Sequence, residues 1–208
     1  MKRLEDCKKI GVLGGTFNPV HMGHLFMAEY ARDVVGLDMV IFMPTGVSYM
    51  KQNKEVLPGK IRKEMLDLSI RDNEFFVSSD IELKREGNTY TYETMQTLKQ
   101  LYPDAELYFL VGADCLFSIE HWVKPQLIFD NCTLIAANRN HMAQDALAQK
   151  KLDLEQKYEA KVILLNFPSV DISSTDIRKK LQENKSIRYM VHDAVLKYLQ
   201  ETQLYKKG

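Results

Sequence analysis

Residues 14–24 read Gly14-Gly15-Thr16-Phe17-Asn18-Pro19-Val20-His21-Met22-Gly23-His24, and this stretch decides the fold of the chain. An apolar run, residues 10–13, precedes it, and a helical pattern, residues 25–31, follows it. A strand, a glycine turn and a helix together form a general anion site, because glycines let the backbone approach a ligand and a helix start presents unpaired N–H groups. His21 and His24 are three residues apart and therefore share one side of the first helical turn. Two imidazoles there can donate hydrogen bonds to phosphate oxygens, so the stretch predicts a nucleotide-phosphate site.

Two simpler interpretations of this stretch remain open at the level of local chemistry. A Gly-Gly pair after a strand is more often only a turn, and a His-x-x-His pair can begin a zinc site. No other Cys or His in the sequence has helpful ligand spacing. The stretch also fits neither the dinucleotide G-x-G-x-x-G spacing nor the Walker pattern, since no Gly-Lys-Ser/Thr follows it.

A second informative stretch lies near the end of the chain and reads Asp171-Ile172-Ser173-Ser174-Thr175-Asp176-Ile177-Arg178. Ser173 followed three residues later by Asp176 predicts a helix N-cap with its capping-box partner. Ser174 and Arg178 lie four residues apart on one face of that helix. Hydroxyls, a helix start and a guanidinium that converge on one point suit phosphate oxygens. The alternative is a plain capped helix whose apolar residues pack inward.

The composition is that of an ordinary soluble globular protein. The chain has 208 residues, of which 45% are hydrophobic and 27% charged, and we expect a single domain over 1–208 whose C-terminal helical part covers about 172–208. The 28 basic and 28 acidic residues cancel, which argues against a general nucleic-acid or membrane partner. Three cysteines without Cys-x-x-Cys spacing, and a charged N-terminus, predict a reduced, cytoplasmic protein.

Continuous apolar segments alternate with amphipathic helical patterns along the chain. This alternation predicts an α/β fold: a doubly wound, Rossmann-like parallel sheet with helices on both faces and a small C-terminal helical annex. The predicted strands are 8–14, 38–43, 75–79, 106–111, 133–137 and 161–165, with a loop over 45–57. The predicted helices are about 22–36, 59–71, 91–101, 141–159, 174–182 and 191–202. Ligands bind beyond the carboxyl ends of such strands, so Gly14, Gly15 and Gly112 are expected around one crevice.

Taken whole, residues 14–24 resemble the Gly-Gly-x-Phe-Asn/Asp-Pro-x-His-x-Gly-His signature of the nucleotidyltransferase superfamily. Residues 172–178 are similar to the Ile-Ser-Ser-Thr-x-Ile-Arg motif of nicotinate mononucleotide adenylyltransferases. Both motifs occur in the family's order at opposite ends of the chain, so the resemblance covers nearly all of it. It implies adenylyl transfer from ATP to nicotinate mononucleotide in NAD biosynthesis, which yields nicotinate adenine dinucleotide and pyrophosphate. Mg²⁺ would accompany the triphosphate, held by phosphates and water with no metal ligands from the protein.

The resemblance also assigns residues to the reaction. The catalytic residues it implies are His21, His24 and Arg178. The ATP-binding residues it implies are Gly14, Gly15, Thr16, Phe17, His21, His24, Gly112, Asp114, Ile172, Ser173, Ser174, Thr175 and Arg178. The acceptor-binding residues it implies are Asn18, Lys51, Thr91, Tyr92, Trp122 and Arg139.

Each acceptor-side assignment has a structural alternative. Asp114 would accept hydrogen bonds from ribose hydroxyls or simply cap the next helix. Thr91 would meet the nicotinate carboxylate or be a helix N-cap. Trp122 would stack on the pyridine ring or lie in the core, and Arg139 would lie near the acceptor or on the surface.

Two segments depart from the family's pattern. The family's Pro-Pro-His-Lys after the second strand is replaced by Val47-Ser48-Tyr49-Met50-Lys51, which keeps only the lysine. The Arg-Pro-Gly after the fifth strand is replaced by Arg139-Asn140-His141. The 47–51 loop and the segment after the fifth strand are therefore where the chain departs most from the family's pattern.

The expected chemistry needs no strong general base, because a phosphate monoester is already an anionic nucleophile. Positioning and electrostatic stabilisation would carry catalysis. The rival enzymes are adenylyltransferases for nicotinamide mononucleotide or phosphopantetheine, and the class I aminoacyl-tRNA synthetases, for whose tRNA-binding parts this chain is too short. A non-catalytic nucleotide-binding regulatory module is the alternative from another class, and an RNA-binding domain is disfavoured by the zero net charge. The expected partners are ATP and nicotinate mononucleotide, with no nucleic acid and no membrane; a homo-oligomer is compatible with the sequence.

Overall fold

The protein is seen in a computed structural model, which describes residues 3–48, 56–138, 144–168 and 170–205. The strands among these residues are β1 (Lys9–Gly15), β2 (Met39–Pro44), β3 (Val47–Ser48), β4 (Phe76–Ser78), β5 (Asn88–Thr89), β6 (Glu106–Gly112), β7 (Thr133–Asn138) and β8 (Val162–Asn166). The α-helices are α1 (Met22–Val35), α2 (Gly59–Ile70), α3 (Thr91–Leu101), α4 (Cys115–Ser118), α5 (Pro125–Phe129), α6 (Gln144–Tyr158), α7 (Ser174–Gln182) and α8 (Asp193–Thr202).

Six of the strands form one parallel sheet in the spatial order β4-β2-β1-β6-β7-β8. The chain first runs outward from β1 through β2 to β4, and then returns to the other side of β1 to form β6. The order of the strands therefore reverses between β1 and β6, and a sheet of this kind binds its ligands at such a reversal. The carboxyl ends of these two strands, Gly14–Gly15 and Gly112, lie at this switch point.

Helices cover both faces of the sheet, which explains why strands such as β2 are buried along their whole length and read as continuous apolar runs. One face is packed by buried residues of α1, α2, α7 and α8, namely Met27, Ala28, Ala31, Met65, Leu66, Ile70, Ile177, Leu181, Val195 and Leu199. The other face is packed by buried residues of α3, α4, α5 and α6, namely Met95, Leu98, Leu116, Ile128, Phe129, Leu147 and Leu154. The prediction of a doubly wound α/β sheet with a C-terminal helical annex is confirmed.

The predicted strands and helices match those of the structure to within one or two residues at most ends. For the predicted helix over about 141–159, the described part begins at Gln144, because residues 141–143 lie outside the described residues. Within the predicted loop 45–57, the structure instead forms β3, which pairs in parallel with β5 through Val47↔Asn88 and Ser48↔Thr89. The short helix α5 was not predicted either, and α4 was anticipated only as the helix that Asp114 could cap. Strands of two residues and helices of one turn are too short to carry a recognisable hydrophobic period.

In the part of the chain that the structure describes, no helix has the length and apolar character needed to span a bilayer.

Candidate active site

A cavity of about 370 Å³ opens at the switch point of the sheet, within the range of about 300–1,000 Å³ typical of small-molecule sites. Its floor is formed by the carboxyl ends of β1 and β6, including Gly14, Gly15 and Gly112. Its remaining polar wall is formed by Thr16, His24, Thr45, Glu82, Thr89, Thr91 and Thr94, and its apolar wall includes Met43, Met95, Phe109 and Trp122. Residues from both halves of the sheet thus meet in one space.

His24 is the histidine of the first motif that lines this cavity. It is the third residue of α1, and its Nδ1 accepts a hydrogen bond from the backbone N–H of His21 at 3.3 Å. Because Nδ1 acts as the acceptor, the neutral ring carries its proton on Nε2. That tautomer makes Nε2 a hydrogen-bond donor suited to an anionic ligand.

His21 is the N-cap residue of α1 and is 4% exposed. Its ring stacks on the ring of His24, with 3.7 Å between the centroids. Gly23 packs against the His21 ring, since a Cβ atom at Gly23 would lie 3.2 Å from Nδ1 of His21. The structure therefore separates two residues that the spacing treats alike: His24 faces the cavity, and His21 lies behind it.

Phe17 and Asn18 lie behind the glycine turn, not on the cavity wall. The side chain of Phe17 is 1% exposed and meets the His24 ring edge-on, with 5.0 Å between centroids. The Asn18 amide oxygen accepts hydrogen bonds from the Leu57 N–H at 3.2 Å and from the Tyr205 hydroxyl at 2.6 Å. Neither side chain lines the cavity, and both support the loop from inside. Their contacts with ATP and the acceptor stay a prediction.

Arg62 is a buried cation directly beneath the site, and its importance is not evident from any motif. Its guanidinium is 3% exposed and donates to the carbonyls of Thr16 and Thr45, both at 2.7 Å, and of Leu57 at 2.9 Å. Burial lowers the pKa of this guanidinium, although arginine stays protonated at any working pH. One side chain thus joins the segment after β1, the segment after β2 and the segment before α2.

The second motif packs against the first through the N-terminus of α7. The Ser173 hydroxyl accepts from the Asp176 N–H at 3.0 Å, so the predicted N-cap is confirmed. Ser174 donates to the Pro19 carbonyl at 2.8 Å, and Arg178 Nη1 donates to the Asn18 carbonyl at 2.9 Å. The hydroxyl and one guanidinium nitrogen that were expected at phosphate oxygens therefore hold the phosphate loop itself.

Other donor-side residues stand at the edge of this arrangement. Thr175 is exposed at the start of α7, where its hydroxyl accepts from Arg178 Nη2 at 3.4 Å. Ile172 brings its carbonyl to within 3.8 Å of the Cβ position of Gly23. Asp114 is exposed at the N-cap position of α4 but makes no side-chain capping bond, so capping does not account for it.

The acceptor-side residues flank the other end of the cavity. Thr91 and Trp122 line it, and Trp122 is half-buried with its ring edge against Phe109 at 6.4 Å between centroids. Thr91 is the first residue of α3, whose N-cap position is occupied by Tyr90 instead. Tyr92 packs beside the cavity, where the Lys124 ammonium lies 4.8 Å from its ring centroid. Lys51 and Arg139 lie outside the described residues.

Sequence reasoning missed Glu82, Thr89, Thr94 and Cys115 on the cavity wall, and Arg62 and Tyr205 behind it. A signal existed for Arg62, because it shares the buried face of α2 with Met65, Leu66 and Ser69, and an arginine on an apolar stripe is unusual. No comparable signal marks Glu82, which lies within an ordinary run of charged residues.

Among the described residues, no group of three or more His, Cys, Asp and Glu side chains is placed to hold a metal ion. A Mg²⁺ ion at this cavity would consequently take its ligands from phosphate oxygens and water, which is how Mg²⁺ is commonly held in nucleotide sites. The hydroxyl, imidazole and backbone N–H groups around the glycine turn suit the phosphates and not the metal.

Comparison with known proteins agrees with this geometry. The family model described as cytidylyltransferase-like matches residues 12–180, which includes both motifs. A protein of Lachnoclostridium phytofermentans named "Probable nicotinate-nucleotide adenylyltransferase" is 40% identical over 192 residues, covering 92% of this chain and 96% of its own. One of the same name from Dehalococcoides mccartyi is 41% identical, covering 95% and 97%. The chain belongs to the cytidylyltransferase-like family and, within it, to the nicotinate-nucleotide adenylyltransferases.

The fold also matches solved structures. The chain is similar to a Plasmodium falciparum nicotinic acid mononucleotide adenylyltransferase complexed with NaAD, with a TM-score of 0.75, 21% sequence identity, and coverage of 95% of this chain and 97% of that one. A Vibrio parahaemolyticus protein named "Putative Nicotinate-nucleotide Adenylyltransferase" gives a TM-score of 0.68 at 24% identity, covering 97% of each chain. At these identities the likeness establishes the architecture.

Proposed function

We propose that this protein transfers the adenylyl group of ATP to nicotinate mononucleotide, giving nicotinate adenine dinucleotide and pyrophosphate as a step of NAD biosynthesis. The observation that carries the proposal is the single cavity that joins Gly14, Gly15 and His24 at one end to Thr91 and Trp122 at the other. Its two ends suit the two substrates of a bimolecular adenylyl transfer. The names of the relatives at 40–41% identity support the choice of substrates.

The glycine end of the cavity is proposed to hold ATP. Gly14 and Gly15 end β1 without side chains, so the nucleotide can closely approach the protein backbone there. The Nε2–H of His24 would donate to the transferring phosphates, and the N-terminus of α1 adds a favourable dipole. His21 supports this donor by stacking on it at 3.7 Å.

The second motif is proposed to act on the pyrophosphate side. Two N–H groups of Arg178 are engaged by Asn18 and Thr175, and a guanidinium has five donors in all. The same side chain can therefore anchor the loop and contribute positive charge to the leaving group. Thr175, exposed at the first turn of α7, offers a hydroxyl and a helix start beside it.

The other end is proposed to hold the acceptor. Trp122 would stack on the pyridine ring, with its orientation set by the edge contact to Phe109. The N-terminus of α3 at Thr91 would face the nicotinate carboxylate, because a helix start favours an anion. Asp114, exposed beyond β6, would accept hydrogen bonds from the ribose hydroxyls of ATP. Lys51 and Arg139 are proposed as further acceptor contacts.

The chemistry that follows needs positioning more than proton transfer. The 5′-phosphate of the acceptor attacks the α-phosphorus of ATP, the bond between the α-phosphorus and the bridging oxygen breaks, and pyrophosphate leaves with the electron pair. The acceptor phosphate is already an anion, so no residue has to act as a strong base. Mg²⁺ supplies charge neutralisation of the triphosphate. The protein brings two polyanions together and stabilises charge with fixed donors that do not reorganise during the reaction.

The proposal is tested by measuring pyrophosphate release with ATP and Mg²⁺, in parallel with nicotinate mononucleotide and nicotinamide mononucleotide. Release that strongly favours the nicotinate substrate is the expected result. Comparable rates with both would leave adenylyl transfer intact but remove the acceptor assignment of Thr91. ATP binding without release from either substrate would instead favour another acceptor or a non-catalytic nucleotide-binding module.

A further inference from the structure

The cavity wall contains a buried carboxylate, Glu82, that the proposed reaction does not use. It is 9% exposed and lies between β4 and β5, where it lines the cavity. A carboxylate is costly to bury unless its oxygens are hydrogen-bonded. A negative charge is also an unexpected group beside two anionic substrates. Glu82 therefore needs a structural role that offsets the free-energy cost of its burial and its repulsion of the substrates.

The partners of Glu82 come from three separate segments. Its Oε1 accepts a hydrogen bond from the Thr94 hydroxyl in α3 at 2.8 Å. The Gly46 backbone and the Thr89 hydroxyl lie close enough to the carboxylate to lower its pKa. Thr89 and Thr94 are themselves buried, at 5% and 1% exposed. Removing the carboxylate would take the nearer acceptor from the Thr94 hydroxyl, whose other acceptor, the Tyr90 carbonyl, lies 3.4 Å away. The link between the segment of Glu82 and α3 would be weakened as a result.

The charge of Glu82 is balanced through Thr94. The Thr94 oxygen accepts from Arg85 Nη1 at 3.2 Å while its proton goes to Glu82, and Arg85 lies 3.5 Å from the carboxylate of Glu93. Burial raises the pKa of Glu82, whereas its hydrogen bonds and the charge of Arg85 act in the opposite direction. The carboxylate is therefore held by protein donors and linked through Thr94 to a nearby cation.

Glu82, Thr94, Thr89 and Gly46 together form a cluster, which we call the hub. The backbone around Gly46 packs closely against the rest of this hub. A Cβ atom on Gly46 would lie 2.3 Å from the carbonyl oxygen of Glu82 and 2.8 Å from Cγ2 of Thr89, so only glycine allows this approach. One residue further on, β3 begins and pairs with β5. Two residues after Thr89, α3 begins at Thr91. The small β3–β5 sheet and the start of α3 are thus joined at a single carboxylate.

We propose that Glu82 is a positioning residue for the acceptor nucleotide, which holds the segment after β2, β5 and the N-terminus of α3 in one arrangement and so places Thr91 on the cavity wall. The inference rests on the proposed function, because it deepens the assignment of this end of the cavity to the acceptor. It predicts that damage to the hub raises the KM for the acceptor and spares the KM for ATP, whose proposed contacts are on β1, α1 and α7.

The first test is Glu82→Gln in the full chain, with KM measured separately for ATP and for nicotinate mononucleotide. The side chains have the same shape, but the amide presents a donor where the carboxylate presented only acceptors to the hub. We expect the KM for the acceptor to rise about tenfold and the KM for ATP to stay within about twofold. An unchanged acceptor KM, or an equal rise of both values, in a folded variant overturns the inference.

A second pair of variants keeps the inference testable if Glu82→Gln does not fold. Thr94→Val removes the hydroxyl that links Glu82 to Arg85 and should raise the acceptor KM selectively, whereas Thr94→Ser should restore it. Thr97→Val is the matched control, because Thr97 lies in the same helix and its hydroxyl donates to the Glu93 carbonyl, at 2.8 Å, away from the hub. Failure of Thr94→Ser to restore the KM, or the same effect from Thr97→Val, would count against the hub.

The test of the proposed function is separate from the test of Glu82 and uses the wild-type protein. Wild-type release of pyrophosphate with nicotinate mononucleotide decides the proposed function before any variant is measured. If another acceptor proves to be the substrate, the same ratio of KM values is measured with that acceptor, and a selective rise in Glu82→Gln still supports the positioning role. A rise confined to ATP would show that the hub serves the other end of the cavity.

Discussion

The two ends of the cavity are built in different ways. At the ATP end, the residues proposed to contact phosphate come from two short continuous motifs, 14–24 and 172–178, which pack on each other through Ser174 and Arg178. At the acceptor end, the wall is assembled from single residues of the segment after β2, the segment before β5, the start of α3 and the segment after α4. Phosphate recognition relies on backbone and helix ends that a compact motif supplies, whereas recognition of a specific ring and carboxylate requires side chains from several elements.

Arg62 contacts segments from both ends of the cavity. Its removal should therefore disturb both ends at once and have the largest effect of the changes considered. Arg62→Ala should remove the donor that the carbonyls of Thr16, Thr45 and Leu57 share, which we expect to cost about 3 to 5 kcal/mol of the free energy of unfolding. Urea denaturation followed by circular dichroism measures the loss. Arg62→Lys should recover only part of it, because an ammonium cannot reproduce the three-way planar geometry of the guanidinium.

The matched control is Arg71→Ala, at the C-terminal end of the same helix, where the side chain is 58% exposed. It should change stability by no more than about 0.5 kcal/mol. Equal stability of Arg62→Ala and the wild type would mean that the carbonyls find other donors, and that the two ends of the cavity are not held together by this side chain.

The ATP end alone is tested by His24→Ala. Loss of the Nε2–H donor should lower kcat by about 10²-fold or more, the scale seen when a preorganised donor to developing charge is removed, while the KM for nicotinate mononucleotide changes little. Steady-state pyrophosphate release measures both. His121→Ala is the control, because His121 is exposed and lies off the cavity wall. Near-wild-type turnover by a folded His24→Ala protein would contradict the role proposed for His24.

The same contrast explains how much the sequence predicts. The parallel sheet, its helices and the phosphate loop follow from local patterns: apolar runs with two-sided burial, helix caps and a continuous motif. Glu82, Thr89 and Thr94 do not, because their importance comes from contacts between segments distant along the chain. The buried positions of Phe17 and Asn18 could not be predicted for a related reason, since a motif identifies which residues matter without distinguishing those that line the cavity from those that support the loop.

The acceptor end alone is tested by Trp122→Ala. Loss of a stacking partner for the pyridine ring should raise the KM for nicotinate mononucleotide about tenfold, because stacking on an aromatic side chain is worth about 1 to 3 kcal/mol. The KM for ATP should stay unchanged. Trp122→Phe should retain most of the affinity, since it keeps a ring in contact with Phe109. If both KM values rise together in Trp122→Ala, the two ends are coupled and the contrast between them fails.

The mildest test uses the three thiols of the chain as reporters of the cavity. Cys7 and Cys132 are 2% and 7% exposed, and burial raises the pKa of the Cys132 thiol to about 12, so neither should react with iodoacetamide in the folded protein. Cys115 is only partly buried and lines the cavity. We expect one adduct by mass spectrometry, at Cys115, and none in Cys115→Ser.

Protection of Cys115 then locates the ligands. Nicotinate mononucleotide at about three times its Kd should slow the labelling about fourfold, because roughly a quarter of the molecules then expose the thiol. Cys115 begins α4 and is close in sequence to Trp122. ATP, whose phosphates are proposed to lie at the glycine turn, should therefore protect it less at the same multiple of its Kd. Stronger protection by ATP would place adenosine next to α4 and reverse the assignment of the two ends, since a thiol is shielded most by the ligand that lies against it.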